Sequence, residues 1–268
     1  MRIAVLALLG LLCAALSPAR ADVVAHLYRG EAIVTGQENL EERQRGFREA
    51  LAEALVKVSG DARLAADPRL QPALAEAQRY VARFEYEDRL AKKKLMDEQG
   101  TRERSYILRV DFDPASIDAL LHDLGARPWP ADRPRLLVLL VIEDSIGSYL
   151  LGTDSARGWG QREALGDIAR RRGVPAVLPA TAADDPRAVM RPAVEAADAA
   201  GLARVAAIYG AKAVLRGTMR MRNDGLWDTR WLLAMPAGGQ PWLNEATTFD
   251  RAIGSGLAGA AEQLAAAG

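Results

Sequence analysis

Three carboxylates are the residues of this sequence most suited to chemistry. Glu143 and Asp144 directly follow an apolar run over residues 136–142, and Asp184 lies in a later polar loop. Carboxylates at the carboxyl end of a buried strand often belong to sites in α/β proteins. Carboxylates can also hydrolyse glycosidic bonds without any signature that is local in the sequence. One alternative is therefore a carboxylate-based enzyme or a glycan-binding protein with its site near these residues.

The spacing of the first two carboxylates weakens that alternative. Neighbouring residues of a strand point to opposite faces, so Glu143 and Asp144 do not form a ready-made acid–base pair. The polar start of a loop explains them equally well.

A row of arginines forms a second candidate site. Its members are Arg216, Arg220 and Arg222 on one face of a strand and Arg230 on the next strand, with Trp227 near the turn between them. Such a face can bind a partner, and it can equally be a solvated sheet face whose arginines pair with acids such as Asp228.

Other familiar sets of catalytic or ligand-binding residues are missing from the sequence. The two histidines, His26 and His122, fall in different elements and lack metal-ligand spacing. Gly254 to Gly259 spells G-x-G-x-x-G, but no second strand or acidic residue follows it as a dinucleotide site requires. The sequence therefore predicts no catalytic residue, no cofactor and no metal, and it favours a protein that is not an enzyme.

The first residues indicate where the protein is located. Arg2, an apolar run over residues 3–16, Pro18 and the small-x-small triplet at 19–21 are typical of a cleaved signal peptide. An uncleaved anchor is the alternative. We expect a periplasmic protein, or a secreted one, whose mature part carries no membrane span and has lost the only cysteine, Cys13.

Charge narrows the range of partners. The chain has 35 basic and 35 acidic residues with both signs interspersed, which argues against nucleic-acid binding. We expect a protein partner in the cell envelope, and the sequence favours no particular oligomeric state.

The pattern of the mature chain predicts an α+β fold with two small α/β-sandwich domains, each a mostly antiparallel or mixed sheet covered by helices. Residues 22–126 form the first domain. They contain a strand at 23–34, a helix capped by Asn39, and a long hairpin over residues 83–112 with Lys92, Lys93 and Lys94 near its tip. The polar side of the helix, which includes Glu53 and Lys57, is predicted to face solvent.

The second domain follows a proline-rich linker at residues 127–134 and covers residues 135–268. Residues 136–142 are apolar on both faces and predict a central strand. Residues 145–158 predict a loop, and residues 160–172 a helix. Asp224 and Gly225 predict a tight hairpin turn between two strands. Trp231 is predicted to be core and Trp227 semi-exposed. A third strand at 240–249 and a closing helix capped by Asp250 complete the domain.

Several segments resemble an exported proteobacterial family known only as a domain of unknown function, number 2066 in that series. The resemblance covers most of residues 23–260, although the Leu-Asp-rich segment usual in that family is replaced here by residues 180–185. The matching segments are 50–61, 77–81, 137–141 with 143–144, 172–175, 178–179, 209–211, 214–217, and Trp227 with 230–231.

The resemblance implies no activity that could be carried over. By looser analogy, the second domain is similar to small α/β domains of periplasmic envelope-assembly proteins, and fold analogy alone does not give function. The leading expectation is a non-catalytic protein that binds a partner or assists an envelope complex.

Overall fold

The computed structural model describes residues 21–88, 104–236 and 238–268. Residues 1–20 of the predicted signal peptide lie outside this part of the chain. The predicted hairpin tip with Lys92, Lys93 and Lys94 also lies outside it.

Across these described ranges the chain forms eleven strands and seven α-helices, which confirms the predicted α+β class. The strands are β1 Ala21–Val23, β2 Arg29–Thr35, β3 Val81–Asp88, β4 Ser105–Phe112, β5 Asp132–Pro134, β6 Leu136–Asp144, β7 Gly147–Leu150, β8 Ala176–Val177, β9 Ala213–Met221, β10 Trp227–Ala234 and β11 Pro241–Thr247. The helices are α1 Leu40–Ser59, α2 Gln71–Ala75, α3 Pro114–Asp123, α4 Trp159–Arg172, α5 Arg191–Ala196, α6 Ala199–Ile208 and α7 Phe249–Ala267. None of the helices in the described ranges is both long and apolar enough to span a membrane.

The N-terminal unit is an antiparallel sheet in the order β2-β4-β3 with α1 packed on one face. Asn39 caps α1 as predicted, because its side chain accepts a hydrogen bond from the Glu42 N–H. The backbones of α1 and β2 touch at Gly30, where a Cβ would lie 1.9 Å from the Ala50 carbonyl oxygen. Only glycine leaves room for this close approach.

The opposite face of this sheet carries ion pairs between neighbouring strands. Asp111 on the middle strand accepts hydrogen bonds from Arg29 on β2, at 2.7 Å, and from Arg83 on β3, at 2.8 Å. Arg109 on the same strand pairs with Glu31 at 3.2 Å and also with Glu87. Hydrogen bonding from Arg29, followed by that from Arg83, lowers the pKa of Asp111 to about 2.

This lowered pKa makes the stability of the fold depend on pH. A carboxyl group whose folded pKa lies below its unfolded value stabilises the fold above the unfolded value, and this contribution is lost as the pH falls through the folded value. Asp111→Asn should therefore lower the free energy of unfolding by about 1 kcal/mol at pH 7. The difference from the wild type should close between pH about 4 and 2. Urea unfolding across this range measures it, and a gap that stays constant would contradict the assignment.

The C-terminal unit is a mixed sheet in the order β11-β10-β9-β6-β7, with β8 also paired to β6. Helices α4 and α7 pack on one face of this sheet, and α5 and α6 pack on the other. β6 is buried from Leu136 to Ile142, so the predicted central strand is confirmed. Its even-numbered side chains point to α4 and α7, and its odd-numbered side chains point to α5 and α6.

The structure corrects two local predictions. Residues 147–150, predicted as loop, form β7 and pair antiparallel with β6, a strand that its Gly147-Ser148 start conceals in the sequence. The closing helix begins at Phe249 after Thr248, and Asp250 lies in its first turn instead of capping it.

Residues 127–134 form the joint between the two units. β5 lies within this segment and pairs with β1, and Trp129 packs into the core of the second unit. The side chain of Arg133 is fully buried with its guanidinium 3.9 Å from the centre of the Trp129 ring. Desolvation lowers the pKa of Arg133 to about 10, which leaves the group charged at neutral pH.

Arg133 lies between the C-terminal ends of α1 and α4. It donates to the carbonyl oxygen of Lys57 at 2.8 Å and to that of Gly173 at 2.8 Å, and also reaches the Arg172 carbonyl at 3.3 Å. The last carbonyl groups of a helix lack partners within the helix and carry partial negative charge. The guanidinium of Arg133 therefore supplies hydrogen-bond donors to the C-terminal ends of two helices that belong to different units.

The polar side of α1 near its C-terminus is buried, so the prediction that it faces solvent was wrong for Glu53 and Lys57. Lys57 is 3% exposed and donates to the Arg29 carbonyl, and Glu53 pairs with Arg171 of α4. Burial raises the pKa of Glu53, an effect that Arg171 partly opposes. Burial lowers the pKa of Lys57. This side of α1 packs against α4, a contact to which the local sequence gives no clue.

Replacing the buried cation tests how much the joint contributes to stability. Arg133→Met should lower the free energy of unfolding by about 3–5 kcal/mol, because buried carbonyl groups lose their donor. Urea unfolding measures the loss. Arg63→Met is the matched control, since the Arg63 side chain is 77% exposed, and it should change stability by less than about 0.5 kcal/mol. Equal stability of the two variants would contradict this role of Arg133.

Candidate functional site

The predicted hairpin is formed by β9 and β10, which pair antiparallel from Val214 with Ala234 to Met221 with Trp227. Gly225 adopts a φ of 79° in the turn, and the Arg222 N–H donates to the Leu226 carbonyl. Odd-numbered residues of both strands face α7, where Trp231 is 2% exposed as predicted for a core residue. Even-numbered residues face the opposite side.

That opposite side carries the predicted arginines, and we call it the basic sheet face. It comprises Arg216, Thr218, Arg220, Arg222, Asp228, Arg230, Leu232 and Leu243. Cross-strand pairs place Arg230 beside Thr218 and beside Leu243. Helices α5 and α6 pack on β6, β8, the start of β9 and the end of β10, so the face lies beside this layer, with Arg220, Arg230 and Leu243 exposed.

Some arginines of the basic sheet face pair with acids. Arg220 binds Glu143 at 2.9 Å across the β6–β9 pair. Arg222 lies 3.3 Å from Asp224 and 3.4 Å from Asp228. The hydrogen bond from the Ala246 N–H, and after it the hydrogen bond from Arg222, lowers the pKa of Asp228.

Two arginines of the face have no carboxylate partner among the described residues. Arg216 donates only to the Ala197 carbonyl at 3.2 Å, at the end of α5. Arg230 is exposed and makes no hydrogen bond or ion pair to any described residue. The face therefore carries positive charge that other parts of the described chain do not neutralise, with the half-buried Leu232 and the 61% exposed Leu243 beside it.

Trp227 does not belong to this face. It is 7% exposed, so the prediction that it is semi-exposed was wrong. Its side chain points toward α7, and its ring packs edge-to-face on Phe249 with ring centres 6.0 Å apart. The closing helix covers this end of the hairpin, and the position of that helix is not visible in the local sequence.

Sequence reasoning missed the two leucines of the face. Leu232 and Leu243 share it with Arg230 because directly opposed residues point the same way. The alternation of residues 227–235 indicates that Leu232 lies on this face. The position of Leu243 can be known only from the register in which β10 pairs with β11. That register shifts between Trp227 and Thr229, where Ala246 adopts a φ of 48° and forms a bulge at the sheet edge.

The three candidate carboxylates have separate surroundings. Glu143 faces the α5 and α6 side and pairs with Arg220, whereas Asp144 faces the other side. Asp144 accepts from the Ile146 N–H at 2.8 Å and from Arg157 at 2.7 Å, and the first of these contributes most to lowering its pKa. Asp184 lies in a loop cavity with Asp154 and Asp185. No contact between described residues joins Asp184 to the other two, and no His, Cys, Asp or Glu group in the described ranges could hold a metal ion.

The G-x-G-x-x-G stretch in α7 packs the helix on the sheet. A Cβ at Gly256 would lie 2.7 Å from ring atoms of Trp231, and one at Gly259 would lie 2.6 Å from Trp242. On the other side, a Cβ at Gly217 would lie 2.2 Å from the Trp231 ring. Trp231 is therefore held between Gly217 and Gly256.

Two glycines of this one helix allow a matched test. Gly256→Ala should lower the free energy of unfolding by about 1–3 kcal/mol, because the new methyl group overlaps the Trp231 ring. Gly254→Ala should raise it by about 0.5–1 kcal/mol, because a Cβ there meets no atom within 4 Å and alanine favours the helix. Thermal or urea unfolding of both variants measures these changes. A loss of the same size at both positions would show that close packing on Trp231 is not the reason for the glycine.

The protein thus has an α+β fold and an open basic sheet face. Residues 21–130 match the model of a family described as a domain of unknown function, DUF8605. This span corresponds to the N-terminal unit and the start of the joint. The match corrects the resemblance to family 2066 in the same series, because the matching family is a different one. No curated protein matches the chain.

Proposed function

We propose that this protein is a non-catalytic binding protein that is exported and assists a complex of the cell envelope. Export is inferred from residues 1–21, whose pattern is that of a signal peptide. The partner is a protein that presents an acidic segment to the basic sheet face.

The observation that carries this proposal is the uncompensated charge on an open sheet. Arg230 has no partner among the described residues, and Arg216 has only a carbonyl group. A carboxylate of the partner would supply the bidentate acceptor that a guanidinium favours. Leu243 offers apolar area beside the charge, so one segment could pair its acids with the arginines and bury a side chain.

The width of the basic sheet face also supports this mode of binding. Strands β9, β10 and β11 lie about 4.8 Å apart, so Arg216 and Arg230 project from a surface about 10 Å wide. A protein segment of a few residues can span this width. The carboxylate-based enzyme or glycan-binding alternative stays a prediction, since no specific contact among the described residues favours it.

Reversing one charge tests the face. A photocrosslinking residue in place of Thr218 should capture a specific protein in intact cells, whereas the same residue in place of Ala119 on α3 should not. With that protein purified, Arg230→Glu should weaken binding by about tenfold, because attraction becomes repulsion. Calorimetry measures the affinity.

Arg48→Glu is the matched control, because Arg48 is exposed on α1 and has no partner among the described residues. It should leave the affinity unchanged. Raising the ionic strength should weaken the wild type more than Arg230→Glu. If Arg230→Glu binds as tightly as the wild type, the basic sheet face is not the docking surface.

A further inference from the structure

A second surface of interest lies at the other edge of the C-terminal sheet. β7 and β8 pair with the same edge of β6 but run toward each other, with Leu150 opposite Val141 and Val177 opposite Leu137. Both strands then leave the sheet, and their carboxyl ends meet. Binding sites in α/β proteins form where the chains leaving neighbouring strands diverge.

A cavity of about 990 Å³ occupies this place, and we call it the edge cavity. Its floor is β8, one wall is α4 with Leu165 and Gly166, and the other is the end of α6 with Ile208 and Tyr209. The volume is in the range of small-molecule sites, and the walls combine apolar side chains and polar groups in similar amounts.

The charge of the edge cavity has one sign. Its lining includes Arg135, Arg162 and Arg187 but no aspartate or glutamate. Arg135 donates two hydrogen bonds to the Asp22 carboxylate, and the Arg187 side chain donates two to the Asp185 carboxylate. The charges of these two arginines are therefore largely neutralised by carboxylates that do not line the cavity.

Arg162 differs, because no carboxylate among the described residues pairs with it. Its Nη1 alone makes all of its described hydrogen bonds, to the carbonyl groups of Gly152, Ser155 and Arg157 and to the Ser155 hydroxyl. Its Nη2 and Nε groups make no hydrogen bond to a described residue. The arginine is thus fixed in position by neutral groups while keeping its full charge and two donor groups.

The rim of the edge cavity is held in place by hydrogen bonds. The Tyr209 hydroxyl accepts from the Ala180 N–H and donates to the Arg187 carbonyl, both at 2.8 Å. Asp154 accepts from the N–H groups of Thr181 and Ala182 and ties the loop after β7 to the loop after β8. A ligand would therefore find the cavity largely formed, which lowers the loss of entropy on binding.

Gly166 leaves part of the edge cavity without a side chain. It lies inside α4, where glycine costs about 1 kcal/mol relative to alanine. A Cβ at this position would meet no atom within 4 Å, so close packing does not explain the glycine. Because Gly166 lines the edge cavity, a larger side chain at this position would extend into the cavity.

We propose that the edge cavity binds an amphiphilic oxyanion, a small molecule with an apolar body and a carboxylate or phosphate headgroup. The headgroup pairs with the free edge of Arg162, and the apolar body lies against Leu165, Leu178 and Ile208. The site is separate from the basic sheet face and does not depend on the proposed function.

Calorimetric titration of the purified protein with decanoate, octyl phosphate and neutral octyl glucoside tests this site. At least one of the two anions should bind about tenfold more tightly than octyl glucoside, because a charge-assisted hydrogen bond to Arg162 distinguishes them. The tighter of the two anions identifies the headgroup. If octyl glucoside binds as tightly as both anions, or if none of the three binds, the proposal is wrong.

A matched pair of glycine variants locates the binding. Gly166→Leu should fold, since leucine favours a helix and its Cβ meets open space, and it should lose detectable anion binding. Gly160→Leu, in the same helix, also places its Cβ in open space but away from the cavity lining, and should bind like the wild type. Undiminished binding by Gly166→Leu, or equal loss in both variants, would overturn the assignment.

Discussion

One buried guanidinium is the interaction on which the arrangement of the two units depends. Arg133 has no carboxylate partner within the described chain, and its charge is balanced by carbonyl groups at the ends of α1 and α4. A charge in a protein interior is tolerated only when its donors are satisfied. The two helix ends must therefore lie where the five donors of Arg133 can reach them, and this fixes how the N-terminal sheet meets the C-terminal sheet.

Other polar contacts follow from that meeting. Glu31 accepts from Arg170 of α4, and these bonds outweigh the effect of burial and lower the pKa of Glu31. These contacts hold α4 on one face of the sheet, and Leu165 and Gly166 of α4 form a wall of the edge cavity. The same sheet continues along β9 and β10 to β11, past the area that α5 and α6 cover. The joint and both candidate binding surfaces are thus connected through one sheet and one helix.

Features that depend on residues close together in the sequence could be predicted from it. Asn39 before a helical stripe, an aliphatic run at 136–142 and Asp224-Gly225 between alternating residues each predicted an element that the structure contains. It could not show that Lys57 is buried, because the groups that cover it come from α4, more than a hundred residues later. The four arginines on one face followed from alternation, whereas the edge cavity did not, since Arg135, Arg162 and Arg187 are brought together only by the fold.

The bulge at Ala246 governs the direction from which the basic sheet face can be approached. β11 is an edge strand with Pro241 at its start and a left-handed residue near its end, where the Asp228 carboxylate holds the Ala246 N–H. Proline and bulges hinder a further strand from adding to an edge. A partner would therefore meet this sheet broadside, through side chains, and recognition would depend on which residues the partner presents more than on its backbone. The same obstruction protects an exposed sheet from pairing with a second copy of itself.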